Sequence, residues 1–416
     1  MSLALELPTR QSGHDAATNS PDAGISAALS EADALRVAES LAEQLAITAV
    51  ERDRRGGHAA FERQLVRDSG LLGLSVPSAL GGSGASWSTI LKVVRKVAAS
   101  DSALAHLIGF HHLQVAGLLL YGNSLQQQKF LKATIDDGVF WGNALNPLDK
   151  RLIASDTPKG FLLNGVKSYA SGSVGSDMLT ISAWHLVTST ALIAVIPTRR
   201  RGITVQSDWD AFGQKQTDSG TVIFENVELE AFEVLQPPKT APTPFSTLRS
   251  QIAQSVMTNL YLGIAEGALA ASRDYTLNEA KPWQSSNVIA AQDDPLIEQR
   301  YGNLHLMIRA ARALADEAAA KLDLALAKGQ RTTAADRGEV AVAVAEAKVL
   351  SHRAGLEVSS QLFEINGAGS TRRKYGFDRF WRNVRVHTLH DPVDYKIRDL
   401  GRYALTGAWP EPTPYS

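Results

Sequence analysis

Two histidine-bearing stretches hold the residue types with most chemical capacity. Near the C-terminus runs F-W-R-N-V-R-V-H-T-L-H-D-P-V-D-Y, Phe380 to Tyr395. Asp391 followed by Pro392 reads as a helix N-cap with proline at the first helical position, and Asp394 adds negative charge to that turn. This leaves His390 in a turn just outside a helix N-terminus, where amide dipoles favour the neutral imidazole that a general base requires. The same residues also read as an ordinary helix start with a surface histidine. The second stretch, Ser102 to Leu120, is an apolar helix carrying His106, His111 and His112. Phe110 follows His106 by one turn and shares its face. A histidine there is either a hydrogen-bonded core residue or a catalytic group, and both readings stand. His111 and His112 point elsewhere and read as structural. The three do not converge on one helix face, and Asp101 reads as the helix cap, so no metal centre is expected.

The chain that positions these residues has 416 residues, 44% hydrophobic and 20% charged, enough for two or three domains with ample core. Lys plus Arg number 42 against 43 Asp plus Glu, so no basic field favours nucleic acid or an anionic membrane. Cysteine is absent, which excludes disulfides, thiolate metal sites and cysteine nucleophiles and fits a cytoplasmic protein. Met1 to Pro21 are polar, without the apolar stretch of a signal peptide or membrane span, and residues 1–27 are expected to form a disordered tail.

Helical periodicity recurs over Ser30–Arg54, Phe61–Gly70, Ser88–Ala99, Ser102–Leu120 and Leu125–Ile135, predicting an α-helical domain over 28–138. The loop V-P-S-A-L-G-G-S-G, Val76 to Gly84, lacks the ending of a phosphate-binding loop and reads as a turn packed between helices. From about Val139 short alternating runs follow, separated by turns such as Asn164-Gly165 and Ser219-Gly220, predicting an antiparallel β-domain over 139–236. Beyond the proline-rich linker Pro237 to Pro244, long helical segments return at Phe245–Glu279, Pro295–Lys328 and Thr333–Phe363. These predict a helix bundle over 245–408.

This order of helices, sheet and helices resembles the acyl-CoA dehydrogenase superfamily, and the resemblance spans about residues 30 to 408. It is carried by G-L-L-G-L-S-V-P-S-A-L-G-G-S-G-A-S (Gly70 to Ser86), L-N-G-V-K-S-Y-A-S-G-S-V-G-S-D (Leu163 to Asp177) and G-Q-K-Q-T-D-S-G-T-V-I-F-E-N-V (Gly213 to Val227). The departures are as informative. The glutamate that removes the α-proton in the dehydrogenases falls on His390, the loop that holds the thioester reads L-N-P-L-D-K-R-L (Leu145 to Leu152), and the glycine pair expected near Gln361 is missing, which favours FMN over FAD. Within the superfamily the chain is most similar to the dibenzothiophene monooxygenase group of sulfur-acquisition enzymes. The runs that say so are W-G-N-A at Trp141, D-W-x-A-x-G-x-x-Q-T-D-S-G at Asp208, Y-L-G-I-A-x-G-A-L at Tyr261 and the long run Tyr375 to Ile397.

That resemblance implies an FMNH2-dependent monooxygenase that uses O2 through a flavin C4a-hydroperoxide to oxygenate a small organosulfur compound. It further implies a separate NAD(P)H-dependent flavin reductase and a homotetramer. By matching positions, His106 and His390 would form the polar pair across the flavin, with Asn143 and Ser171 supporting the hydroperoxide. Phe110, Tyr169, Ala368 and Gly369 would line the FMN and Lys281 would meet its phosphate. Phe110 stands where the group has tyrosine, implying a narrower, more apolar pocket, and Lys281 replaces an arginine, keeping charge without the bidentate fork. From the residues alone, Asn143 and Ser171 are expected in strands, where either could simply satisfy a sheet edge. Arg379, Arg382 and Arg385 read as an ion-paired face. An acyl-CoA dehydrogenase with a displaced base, an N-oxygenase of amino sugars and a non-catalytic scaffold on this fold remain as competing readings.

Overall fold

The computed structural model describes residues 28–416, so the tail expected over 1–27 lies outside the described residues. The first helical segment comprises α1 (Glu31–Arg55), α2 (Ala60–Asp68), α3 (Trp87–Ser100), α4 (Ser102–Tyr121) and α5 (Ser124–Asp136). Polar caps set its boundaries. Ser30 accepts from the Asp33 amide at the start of α1, and Asp101 accepts from the amides of Ala103 and Leu104 at the start of α4, as its position predicted. Helix α4 is apolar on every side, as a fully buried helix must be, and 94% of its most apolar window is packed inside the protein.

Eight strands follow: β1 (Trp141–Ala144), β2 (Ile153–Thr157), β3 (Gly160–Lys167), β4 (Met178–His185), β5 (Thr190–Pro197), β6 (Ile203–Val205), β7 (Val222–Glu230) and β8 (Val234–Gln236). They form one sheet in the order β6-β7-β3-β2-β4-β5-β8, with β1 added to β4. The expected antiparallel pairing holds for β2–β3, β3–β7, β4–β5, β5–β8 and β6–β7, but β1 and β2 both run parallel to β4. Turn residues report only the pairing of strands joined by a tight turn. The β1–β4 pair is made across an intervening hairpin and carried no such signal.

The last segment is α6 (Leu248–Asn278), α7 (Pro295–Ala327), α8 (Ala334–Asn366), α9 (Asp378–Thr388) and α10 (Val393–Thr406). One apolar core unites both helical ends: Val94 and Leu104 pack in the same cluster as Val256, Leu260, Val358 and Val384. Close approach of α4 to α6 needs a glycine, because a Cβ on Gly109 would stand 2.5 Å from Val256 Cγ1. A second core fills the sheet, and a third, with Val115, Phe130, Trp141 and Val195, clamps α4 and α5 onto it. Helix α4 therefore touches both the sheet and the C-terminal helices, and any residue on it can face the seam between them. The Val76–Gly84 loop is packed as expected, since a Cβ on Gly82 would fall 2.2 Å from the Val76 carbonyl oxygen.

Candidate active site

His106 lies on α4, buried, with its ring stacked on Phe110 at 4.0 Å between centroids. Its Nδ1 is 2.8 Å from Nε2 of His387, the residue that α9 turns onto its buried stripe with Phe380 and Val384. His387 Nδ1 is in turn 3.3 Å from the hydroxyl of Tyr261 on α6, which donates to the His387 carbonyl at 3.0 Å. Burial and the nearby His390 push the His106 imidazole down to about 3. Burial, with His106 and His390 beside it, also holds His387 well below the ordinary imidazole range. Both rings are thus uncharged at neutral pH. Yet Nε2 of His106 is buried with no protein partner. A buried polar atom left open is expensive unless a ligand claims it.

His390 occupies the turn between α9 and α10, with its side chain 40% exposed. The expected cap is corrected here. Helix α10 begins at Val393 with Pro392 as its N-cap and no side-chain cap bond, because Asp391 turns inward to a buried lysine. Asp391 Oδ1 lies 2.6 Å from Lys348 Nζ and 3.0 Å from His390 Nδ1. Burial alone would raise this carboxyl, but the His390 hydrogen bond and the Lys348 charge outweigh it and hold it well below the usual carboxylate range. An ionised carboxylate can only accept, so His390 Nδ1 carries the proton and Nε2 is left available. Lys348 also donates to Gln254, so the pair is held from α6 and α8 together. His106 and His390 were expected on opposite sides of a flavin; within the chain the direct bond of His106 is to His387, three residues before His390.

On the sheet side, Asn143 is in β1 as expected, with its Oδ1 buried and unpartnered. Ser171 is not in a strand: it sits in the turn after β3, buried, and the Asn143 amide donates to its carbonyl at 2.9 Å. A strand reading failed there because Tyr169 (φ 56°) and Gly172 (φ 72°) bend the backbone out of the sheet. A Cβ on Gly172 would come 3.1 Å from Leu107 Cδ2, so this turn lies against α4 at the residue next to His106. The Ser171 hydroxyl is 2.8 Å from that of Ser219, which is 2.8 Å from that of Thr217. His106 and His387 therefore meet between α4 and α9, and Asn143 and Ser171 meet where the turn after β3 packs on α4.

The remaining expected residues lie apart. Tyr169 is exposed on the sheet side, edge-on to Trp209 at 6.0 Å. Lys281, past the end of α6, and Ala368 and Gly369, past the end of α8, are exposed. Gly369 meets the hydroxyl of Tyr275, which lies fourteen residues along α6 from Tyr261, a separation of roughly 21 Å at the helical rise. One chain therefore does not bring its own Lys281, Ala368 and Gly369 to the His106–His387 pair. His111 and His112 are structural as read: His111 bridges the Leu72 carbonyl at 2.9 Å and the Trp141 amide at 3.3 Å, and His112 bonds Ser75 at 2.7 Å. Among the described residues Arg382 is ion-paired, to Asp53 and Asp378, and no such pair is made by Arg379, which lies over the Phe380 ring, or by Arg385.

Residues 31–137 match the acyl-CoA dehydrogenase N-terminal domain, and 255–395 match the acyl-CoA dehydrogenase C-terminal domain. The chain is 46% identical over 384 residues to the probable FMNH2-dependent monooxygenase SfnC of Pseudomonas putida, covering 92% of this chain and 97% of that one. It belongs to the acyl-CoA dehydrogenase family, among its FMNH2-dependent monooxygenases. Dibenzothiophene monooxygenase of Rhodococcus qingshengii is 43% identical over 396 residues, covering 91% of this chain and 95% of that one. The solved structure of methanesulfinate monooxygenase MsuC of Pseudomonas fluorescens superposes with a TM-score of 0.90 at 47% identity, covering 92% of this chain and 99% of that one. The cofactor of this monooxygenase is FMN, taken as FMNH2, with O2 as co-substrate. The site fits a flavin: His106 Nε2 and Asn143 Oδ1 are buried polar atoms without a protein partner, and the Ser171 turn bends beside Asn143.

Proposed function

We propose that this monooxygenase oxygenates a small organosulfur compound, and that its FMNH2 is delivered by a separate NAD(P)H-dependent flavin reductase in the cytoplasm. The observation that carries the reading is the uncharged His106–His387 pair with one ring nitrogen buried and unclaimed, together with the unclaimed Oδ1 of Asn143 on the sheet side. Bound FMNH2 supplies two electrons and activates O2. The chain's own work is to accept hydrogen bonds at His106 Nε2, Asn143 Oδ1 and Ser171 Oγ, to exclude water with Phe110 and Leu107, and to move a proton at His390 Nε2. His390 is suited to that last role because Asp391 fixes its other nitrogen while the ring keeps access to solvent.

Two features narrow the reading. The Phe110 ring lies flat on His106 and fills the space beside it, which supports a substrate the size of methanesulfinate rather than a three-ring thiophene. The distance of roughly 21 Å along α6 between the His387 contact and Gly369 supports a homotetramer in which a second copy brings Lys281, Ala368 and Gly369 to the phosphate end. The test is anaerobic titration with FMNH2, followed by O2 with methanesulfinate or dibenzothiophene and assay of the oxygenated product. Product from the small substrate with a flavin reductase present is expected. Reduction of bound FMN by a saturated acyl-CoA, with no sulfur product, would overturn the reading.

A further inference from the structure

Two hydrogen-bond chains lead into the site from residues behind it. The first runs from Tyr261 through His387 to His106. Every member is buried, and neither imidazole is charged, so each ring carries one proton. If Tyr261 donates to the His387 carbonyl, its oxygen can accept from His387 Nδ1–H, and His387 Nε2 can accept from His106 Nδ1–H. That arrangement makes three bonds and leaves His106 Nε2 as a bare acceptor. The reverse arrangement makes two and strands an N–H in the interior, which is the rarer and costlier defect.

The second chain runs from the Gln214 carbonyl through Thr217 and Ser219 to Ser171, again buried throughout. A carbonyl cannot donate. With Thr217 donating to it at 2.9 Å, Ser219 donates to Thr217 and Ser171 donates to Ser219, giving three bonds where the reverse gives two. Ser171 Oγ then faces the site with lone pairs alone.

We propose that these two chains, anchored by Tyr261 and by Thr217 with Ser219, fix His106 Nε2 and Ser171 Oγ as acceptors, and that this pair selects the reduced flavin, whose N5 bears hydrogen, over the oxidised flavin, whose N5 is an acceptor. Tyr261, His387, Thr217 and Ser219 are positioning residues on this account. The inference rests on the flavin monooxygenase reading above. Its residues lie behind those expected to touch the ligand, which separates the two tests.

Magic-angle-spinning NMR of flavin-free, 15N-histidine-labelled protein reads the first chain directly, with His106→Gln to assign the signal. His106 Nε2 should give a pyridine-type resonance, and Tyr261→Phe should turn it pyrrole-type or mixed; a pyrrole-type resonance in the wild type overturns the proposal. Anaerobic titrations with FMN and FMNH2 read the second chain. Ser219→Ala frees the Ser171 hydroxyl to donate and should shrink the ratio of oxidised to reduced Kd by about five- to tenfold, the worth of one hydrogen bond. Thr217→Ser, which keeps the chain, should preserve the ratio. An unchanged ratio in Ser219→Ala overturns the proposal. Failure of the wild type to bind either flavin overturns the function, while the NMR result still decides the proton positions.

Discussion

The two ends of the candidate site are built differently. At the reacting end, His106, His387 and Ser171 are buried and Asn143 is half-buried with its Oδ1 enclosed; they are held from α4, α9, the turn after β3 and β1, with two polar atoms left open. At the other end, Tyr169, Lys281, Ala368 and Gly369 are exposed, and nothing within the described residues ties Lys281 to the first group. The difference teaches where precision is stored. Chemistry at a reacting centre tolerates little displacement, so the residues around it are locked by packing and hydrogen bonds in one chain. A phosphate needs charge and backbone donors, which flexible segments or a second copy can bring.

The largest effect should come from breaking the locked end. His106→Phe preserves the stacked apolar volume but removes a hydrogen-bonding nitrogen, and is expected to lower oxygenation by roughly 10² to 10³-fold, the scale of losing one preorganised polar contact at a reacting centre. FMNH2 should then be oxidised with hydrogen peroxide released in place of sulfur product, as measured by coupled peroxide and product assays. Substituting Lys348 sharpens the comparison on the stability side. Lys348→Met leaves Asp391 buried without its ion pair and should destabilise the fold by about 3 to 5 kcal/mol in urea melts.

A third expectation concerns acid. His106 (about 3), His111 (about 4), His112 and His387 are all depressed by burial, so the unfolded chain binds protons below about 6.5 that the folded chain refuses. Their destabilising effect is absent above that pH and grows as pH falls from about 6.5 toward 3 to 4. Each contributes a slope of up to about 1.4 kcal/mol per pH unit, and replacing His111 with Gln should flatten the stability profile in that window. The smallest effect belongs to the open end. Lys281→Ala should weaken FMNH2 binding by about tenfold, the scale of one charge-assisted contact, with little change in oxygenation at saturating flavin.

Much of this was legible in the chain. Helix spans came through because apolar period and polar caps coincide, as at Asp101 and α4. Residue types in the Tyr375 to Ile397 run pointed to the right branch of the family. Features that depend on partners distant in the chain were not legible. The parallel β1–β4 pairing has no local turn to announce it. Asp391 looks like a cap because the sequence cannot show Lys348, which packs against it from α8. The bond from His106 to His387 was not legible either, although the stripe Phe380, Val384, His387 marks His387 as buried. Tyr261, Thr217 and Ser219 carry no signal beyond their burial in the fold, since their role depends on partners distant in the chain.

The most direct measurement of the central claim follows the oxygen. Enzyme and FMNH2 mixed with methanesulfinate under 18O2 should yield an oxidised sulfur product carrying one labelled oxygen per FMNH2 consumed. Product without label, or label found only in peroxide while methanesulfinate and dibenzothiophene are both recovered unchanged, would contradict it.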